Sequence, residues 1–512
     1  MSYWRSIPQT LLEHPPEWRE VTAVATANAS LSFAALREGV LRCASWLAEA
    51  GIGPGDRVAV CLPKGLVAAQ AIYGILAAGA AYVPLPEDGP LARLRATLVS
   101  VQPKLLLTTA ETAARLAAGV GDPTLSEMRV VALDVRDGAI AQHVASAVVA
   151  TPPLSVPPES LAAIYFTSGS TGEPKGVMLS HRNLAAIADW MARIHEHRPG
   201  DRLVALSALH YVAAIELFYP AMSGCRIFLP GDRETMFPDR VAQIMEWENV
   251  THVTMAATAL RLLFEGGDLA RRRLDDLRHV TFFGEPLPAT LLDSIMAALP
   301  RARFLNSYGA TEAYNMLSYY PSRPLPAGPL SIGRPMPYYD VSLRDDDGRE
   351  VAPGEIGEIC AAGPLVMSGY WNAPELTASR RFDGRADSYR TGDLARVGED
   401  GLWHLVGRRD GLVKLRGHRF DLGEIEAVLR LHPSVREAFA FAVPPFGSTS
   451  VEIQAVIQVE GDGLLEAALR RLCAERLPRY ARPGRILALA RLPLLASGKV
   501  DRQALLAMLS RD

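Results

Sequence analysis

The chain has 512 residues, 49% of them hydrophobic, with 53 basic against 56 acidic residues and a formal net charge of −3. That length and apolar content support more than one buried core, and the near-neutral balance supplies no overall basic field, which argues against nucleic acid as the main partner. Its cysteines, Cys43, Cys61, Cys225, Cys360 and Cys473, are odd in number and lack CxxC or Cys/His zinc spacing, so they read as reduced, mostly buried thiols of a cytoplasmic protein.

In chain order, the first twenty residues show no basic segment followed by an apolar one, and no secretory signal is expected. From Ser32, the spacing of Leu36, Val40 and Leu47 predicts a helix capped by Ser32 and stopped at Gly51, followed by a buried strand over RVAVCL (57–62). The apolar run 66–85 approaches membrane-span length, but Gln70, Gly74, Gly79 and Pro84 interrupt it, so it predicts a buried helix (65–78) turning into a strand (80–85), with no membrane span. Strands are predicted again over 104–109 and 129–135, then over 226–230, 252–255 and 279–284 with helical periodicity between them. That is the rhythm of two α/β layered subdomains.

After about Gly328, short apolar runs broken by Gly, Pro and Asp predict β-hairpins of a smaller β-rich subdomain. A last α+β unit has a predicted helix over 422–431 and strands over 438–443 and 452–459. The expectation is therefore an α/β fold: a large N-terminal domain, 1–409, followed by a small mobile C-terminal domain, 410–512. The arginines between Arg470 and Arg485 read as a solvated helix and turn face.

Only five basic residues are lysines (Lys64, Lys104, Lys175, Lys414 and Lys499), against 48 arginines. An ammonium is a compact point charge on a flexible stem, so lysines kept in such a chain mark places where a planar guanidinium does not serve. Lys175 lies in YFTSGSTGEPKGVMLSH (165–181), a loop-like run ending in an apolar, helix-compatible segment. No GK[ST] follows its glycines, so it is not a Walker A loop. Small residues that let backbone N–H groups approach an anion, hydroxyls at Thr167, Ser168, Ser170 and Thr171, and a lysine still make a phosphate cradle.

With this stretch stand NSYGATE (306–312), GEIGEI (354–359), GPLVMSGYWN (363–372), YRTGDL (389–394), GRRDGLVKLRGHRFDLGEIE (407–426) and LASGKVDR (495–502). Their order and spacing resemble the adenylate-forming superfamily, which includes acyl-CoA synthetases, peptide-synthetase adenylation domains and firefly luciferase. The resemblance implies two half-reactions. A carboxylate first attacks the α-phosphate of Mg²⁺-bound ATP, giving an acyl adenylate and pyrophosphate; a thiol then takes the acyl group. Donors, cations and a metal-binding carboxylate serve such a displacement better than a protein nucleophile.

By the same resemblance, Thr167, Ser168, Gly169, Ser170, Thr171 and Gly172 would wrap the β- and γ-phosphates beside Lys175, Thr311 would meet the α-phosphate, and Glu312 would hold Mg²⁺. Gly284, Glu285, Pro286, Ser307 and Tyr308 resemble the adenine pocket. Asp393 would accept both ribose hydroxyls, with Arg408 beside it, and Asp410 would be the hinge of the C-terminal domain. Lys499 would reach the site during adenylation, whereas Lys414 and Gly417 would belong to the thioester step.

For the acid, HYVAAIELF (210–218) stands where amino-acid-activating domains usually place an aromatic residue followed by aspartate. His210 takes the aromatic place and Tyr211 the aspartate's, so the usual partner of an α-ammonium is missing. The carried-over pocket comprises Tyr211, Val212, Ile215, Thr254, Thr281, Phe283, Ser307, Asn315 and Met316, apolar with neutral hydrogen-bonding groups. This favours a small or medium acid without a charged α-amine. RGHRFDLGEIE (416–426) is closer to domains that load carrier proteins than to CoA ligases, and no carrier domain follows Asp512, so the acceptor is expected to be the phosphopantetheine of an acyl or peptidyl carrier protein acting in trans. A role in secondary metabolism, such as antibiotic or nonribosomal peptide assembly, goes with that resemblance. A prolyl-type amino-acid:carrier-protein ligase, an acid:CoA ligase and a non-catalytic binding protein remain as alternatives.

Overall fold

The computed structural model describes residues 5–117, 128–135, 140, 156–167, 174–326, 329–408, 412–415, 418–443, 452–459, 465–493 and 502–509. The chain forms two compact units. One comprises Met1–Glu87, Leu98–Tyr165 and Gly176–Gly407; the other comprises Asp88–Thr97, Phe166–Lys175 and Arg408–Asp512.

Local signals set the first elements. Ser32 caps helix Phe33–Glu49 by accepting from the Ala35 N–H at 3.2 Å, and Gly51 leaves it at φ +75°. Strand Arg57–Cys61, helix Leu66–Ala77 and strand Ala81–Pro84 follow, and every residue of that helix is buried. Its all-round apolar character thus reflects a core helix. Among the described residues no helix is long and apolar enough to cross a membrane.

A seven-stranded sheet runs in the order Gly369–Tyr370, Lys175–Ser180, Leu161–Thr167, Ala81–Pro84, Arg57–Cys61, Leu105–Thr108, Arg129–Ala132. The helix-compatible segment after Lys175 is therefore a strand. The helix begins only at His181, where Ser180 and Asn183 form a reciprocal capping box. A nine-stranded sheet carries the parallel run Arg226–Phe228, Arg202–Ala205, His252–Ala256, His279–Phe283, Arg303–Ala310. A core of Tyr73, Tyr82 and Phe218, among many others, joins the helices to strands of both sheets, with the Tyr73 hydroxyl donating to Leu217 O at 3.1 Å. A four-stranded sheet, Asp340–Arg344, Gly357–Ala362, Ser388–Val397, Trp403–Arg408, antiparallel over its first three strands, is the expected β-rich part.

The second unit has its own core. Helices Leu422–Arg430 and Leu465–Arg476 bury Ile425, Leu429 and Leu469 against strands Val435–Val443, Glu452–Val459 and Arg485–Leu489. Arg470 and Arg471 pair with Glu466 and Glu475 one helical turn away, and Arg482 donates to Leu477 O and Ala474 O, as a solvated face does. All five cysteines are buried free thiols.

Candidate active site

Parallel strands send their C-terminal ends to one edge, and that edge is where open α/β sheets bind ligands. In register, Thr254 pairs with Thr281 and Ala205, and Phe283 pairs with Ser307, so Thr254, Thr281, Phe283 and Ser307 share one sheet face. Val253, Met255, Val280, Phe282 and Phe304 point to the other face, into a separate core. His210 and Tyr211 follow strand Arg202–Ala205, with their rings 4.1 Å apart, and Tyr211 opens the 3₁₀ helix Val212–Phe218. Gly284, Glu285 and Pro286 leave strand His279–Phe283 at the same edge, Gly284 at φ +92°, and Thr258 donates to Glu285.

The structure grades the acid-pocket residues by depth. His210, Tyr211, Val212, Thr254 and Phe283 are partly exposed, whereas Ile215, Thr281, Asn315 and Met316 are buried. Asn315, with its amide turned to satisfy both ends, donates to Leu317 O at 2.8 Å and accepts from the Ser307 hydroxyl at 2.8 Å. Both side chains are thereby held by one another.

Two carboxylates expected to serve ATP and its metal are buried in this unit, each held by a tyrosine. Glu312, 4% exposed in the turn between strands Arg303–Ala310 and Tyr314–Tyr319, accepts from the Tyr370 hydroxyl at 2.8 Å; Thr311 precedes it, partly exposed. The turn is tight: a Cβ on Gly309 would lie 1.4 Å from Tyr314 O. Asp393, 2% exposed, accepts from the Tyr308 hydroxyl. Its own N–H donates to Thr391 Oγ1 at 2.9 Å, and Glu358 anchors the preceding residues through Gly392 N–H (2.9 Å) and Arg390 (2.7 Å). Thr167 ends one strand of the seven-stranded sheet and Lys175 begins the next. Arg408 ends strand Trp403–Arg408, and Lys414 lies in strand Leu412–Leu415. Ser168, Gly169, Ser170, Thr171, Gly172, Asp410, Gly417 and Lys499 lie outside the described residues.

Residues 11–371 match the AMP-binding enzyme family, and residues 424–499 match the AMP-binding enzyme C-terminal domain. The chain belongs to the AMP-binding enzyme family. It is 33% identical to an L-proline--[L-prolyl-carrier protein] ligase of Pseudomonas fluorescens over 94% of this chain and 95% of that one. It is 34% identical to the phenyloxazoline synthase MbtB of Mycolicibacterium paratuberculosis over 95% of this chain, and there it spans only 40% of the relative's length. Among solved structures, the amide bond synthetase McbA of Marinactinospora thermotolerans superposes with a TM-score of 0.85 at 27% identity, over 99% of this chain and 100% of that one. The fold is thus that of adenylating enzymes, a large N-terminal and a smaller C-terminal domain, and the protein is an AMP-forming ligase.

Two features of this AMP-binding enzyme escape a reading by motif. One is a buried histidine group behind Thr281. His195 Nε2 lies 2.8 Å from Thr281 Oγ1, His252 Nε2 lies 2.9 Å from His195 O, and His252 stacks on His279 at 4.8 Å, with His197 edge-on to it. Burial, and then the neighbouring imidazoles, push His195 down to about 3 and His252 down to about 2; burial also lowers His197 and His279. The repeated HVT of 252–254 and 279–281, paired in register, was the available signal. The other is a buried lysine and glutamate beside the acid-pocket loop, Lys64 and Glu216. A lone lysine in LPKGLV and a lone glutamate in VAAIELF were the signals.

Proposed function

We propose that this enzyme activates a small carboxylic acid as its acyl adenylate, with ATP and Mg²⁺, and transfers the acyl group to the phosphopantetheine thiol of a carrier protein. The observation that carries this reading is the pair of buried, tyrosine-held carboxylates, Glu312 and Asp393, in the unit whose parallel-strand edge bears the acid-pocket residues. A buried carboxylate offers oxygen acceptors of the kind that a ribose diol or a hard cation needs. Asp393 would accept from the ribose diol, and Glu312 would hold Mg²⁺, whose charge would offset that of the phosphates. Tyr308 and the 284–286 turn flank the base, and Thr311 meets the α-phosphate. The 167–172 loop and Lys175 bind the outer phosphates. Lys499 enters for adenylation as the domain turns about Asp410, and Lys414 and Gly417 serve transfer.

The acid we favour lacks a charged α-amine. Tyr211, at the start of the 3₁₀ helix, offers a neutral phenol where an α-ammonium would need a countercharge. A second reading, an amino acid of the prolyl kind, is favoured by the near full-length similarity to the L-prolyl-carrier protein ligase. Matched pairs of an α-amino acid and its des-amino analogue separate the two: preference for the des-amino member supports the first, and preference for the amino member supports the second. Incubation of the activated acid with a phosphopantetheinylated carrier or with CoA then decides the acceptor. Efficient CoA thioester formation, with no gain from any carrier, would make the protein an acid:CoA ligase.

A further inference from the structure

Lys64 is one of five lysines in the chain, and its side chain is only 1% exposed. It stands between strand Arg57–Cys61 and helix Leu66–Ala77 of one sheet system, and its ammonium reaches the other. Nζ donates to Ala205 O at 2.7 Å and to Ser207 O at 3.4 Å, with Asp232 Oδ1 3.9 Å away. Ala205 is the last residue of strand Arg202–Ala205, so the lysine grips the chain as it leaves the sheet toward His210. An ammonium can spread its donors over two carbonyls of a turning backbone, where a planar guanidinium would meet them poorly.

Glu216 grips the same residue from the other side. It is 3% exposed, and its Oε1 accepts from the Ser207 N–H at 3.4 Å. Glu216 lies in the 3₁₀ helix Val212–Phe218, which is tied back to the loop by Tyr211 N–H to Ala208 O (3.0 Å) and Ala214 N–H to Tyr211 O (2.9 Å). Lys64, Ser207, Glu216 and Tyr211 thus close a loop on themselves. Burial lowers Lys64 and raises Glu216, while the lysine's charge pulls the glutamate back toward ionisation.

We propose that Lys64 and Glu216 are positioning residues for acid recognition, acting through the backbone of Ser207 to hold segment 207–211 so that His210 and Tyr211 face the acid. The inference rests on the reading that His210 and Tyr211 border the acid. A buried charge whose partner is removed destabilises the fold, so a single substitution alone would confuse positioning with stability. The experiment therefore compares Lys64→Met with Lys64→Met/Glu216→Leu, which removes both buried polar groups.

Wild type and variants are measured for thermal midpoint and, by acid-dependent pyrophosphate exchange, for KM of acid and KM of ATP. Lys64→Met is expected to raise the acid KM about tenfold, the scale of one lost charge-assisted hydrogen bond, with the ATP KM within about twofold. The double variant is expected to recover the midpoint and keep the high acid KM; if the single variant does not fold, the double carries the comparison. An acid KM that returns to the wild-type value together with the midpoint, or an ATP KM that rises in parallel, would overturn the positioning role. Absence of acid-dependent exchange in the wild type would instead overturn the reading of the site, and this inference with it.

Discussion

Tyr308 donates its phenolic hydrogen bond to the carboxylate of Asp393, 85 residues further along the chain, and both groups are buried. Tyr308 lies on strand Arg303–Ala310 and Asp393 on strand Ser388–Val397, so this bond joins the nine-stranded sheet to the four-stranded one. If Asp393 receives the ribose hydroxyls, Tyr308 orients the carboxylate that does so. A hydrogen bond to a charged group contributes about 1.5–3 kcal/mol. Tyr308→Phe is therefore expected to raise the ATP KM roughly 10- to 100-fold while the acid KM stays within about twofold, checked by exchange kinetics with each substrate varied. Equal effects on both would assign the pair to the fold alone.

Glu312 and Tyr370 form the second such pair. Glu312→Gln removes the charge that a hard divalent cation needs. The Mg²⁺ concentration for half-maximal adenylation is expected to rise about tenfold or more, and Tyr370→Phe, which removes one hydrogen bond to the carboxylate and keeps its charge, should change it less. A magnesium titration of the exchange rate reads both.

The buried histidines make stability depend on pH. His195 and His252 sit at about 3 and 2 when folded, below the ordinary imidazole value, so the unfolded chain binds more protons. Their contribution is fully present above pH ~6.5 and is lost as pH falls toward the folded values. The thermal midpoint should drop steadily below pH ~6.5, and His252→Gln should flatten that slope by the share of one proton. Calorimetric scans between pH 7 and 4 test this; an unchanged slope would remove His252 from the acid response.

Much of the fold was legible because its signals are local. The Ser32 cap and the Gly51 stop mark a helix within a few residues, and strand Glu452–Val459 follows from its own apolar run. Strand Lys175–Ser180 was not, since it pairs with Gly369–Tyr370, which arrives from far along the chain. The site divides in the same way. Glu312 and Asp393 announce themselves in motifs, but the Tyr370 bond to Glu312 and the anchoring of Arg390 and Gly392 by Glu358 are made by tertiary packing, and Lys64 meets Ala205 and Ser207 across 141 and 143 residues of chain. Burial and pairing are properties of the folded chain, so a lone lysine reads as surface charge until the carbonyls around it are known.

Lys499 belongs to LASGKVDR (495–502), and its proposed role is to bring positive charge to the acid carboxylate and phosphate for the first half-reaction. Loss of one transition-state charge partner costs about 10²- to 10³-fold in rate. Lys499→Ala should therefore reduce adenylation about 10²-fold or more, while transfer from a preformed acyl adenylate is largely retained. Single-turnover assays of each half-reaction check this. Equal loss in both would assign Lys499 to folding or to general electrostatics.

The most direct measurement of the central claim is ATP–pyrophosphate exchange in the presence of Mg²⁺ over a panel of small aryl, hydroxy, keto and short-chain acids, together with α-amino acids that include proline. Adenylation requires that exchange depend on the added acid and cease without Mg²⁺, and the reading of Tyr211 requires that the best acid lack a charged α-amine. A folded enzyme that binds ATP yet exchanges pyrophosphate with no acid in the panel would contradict the claim.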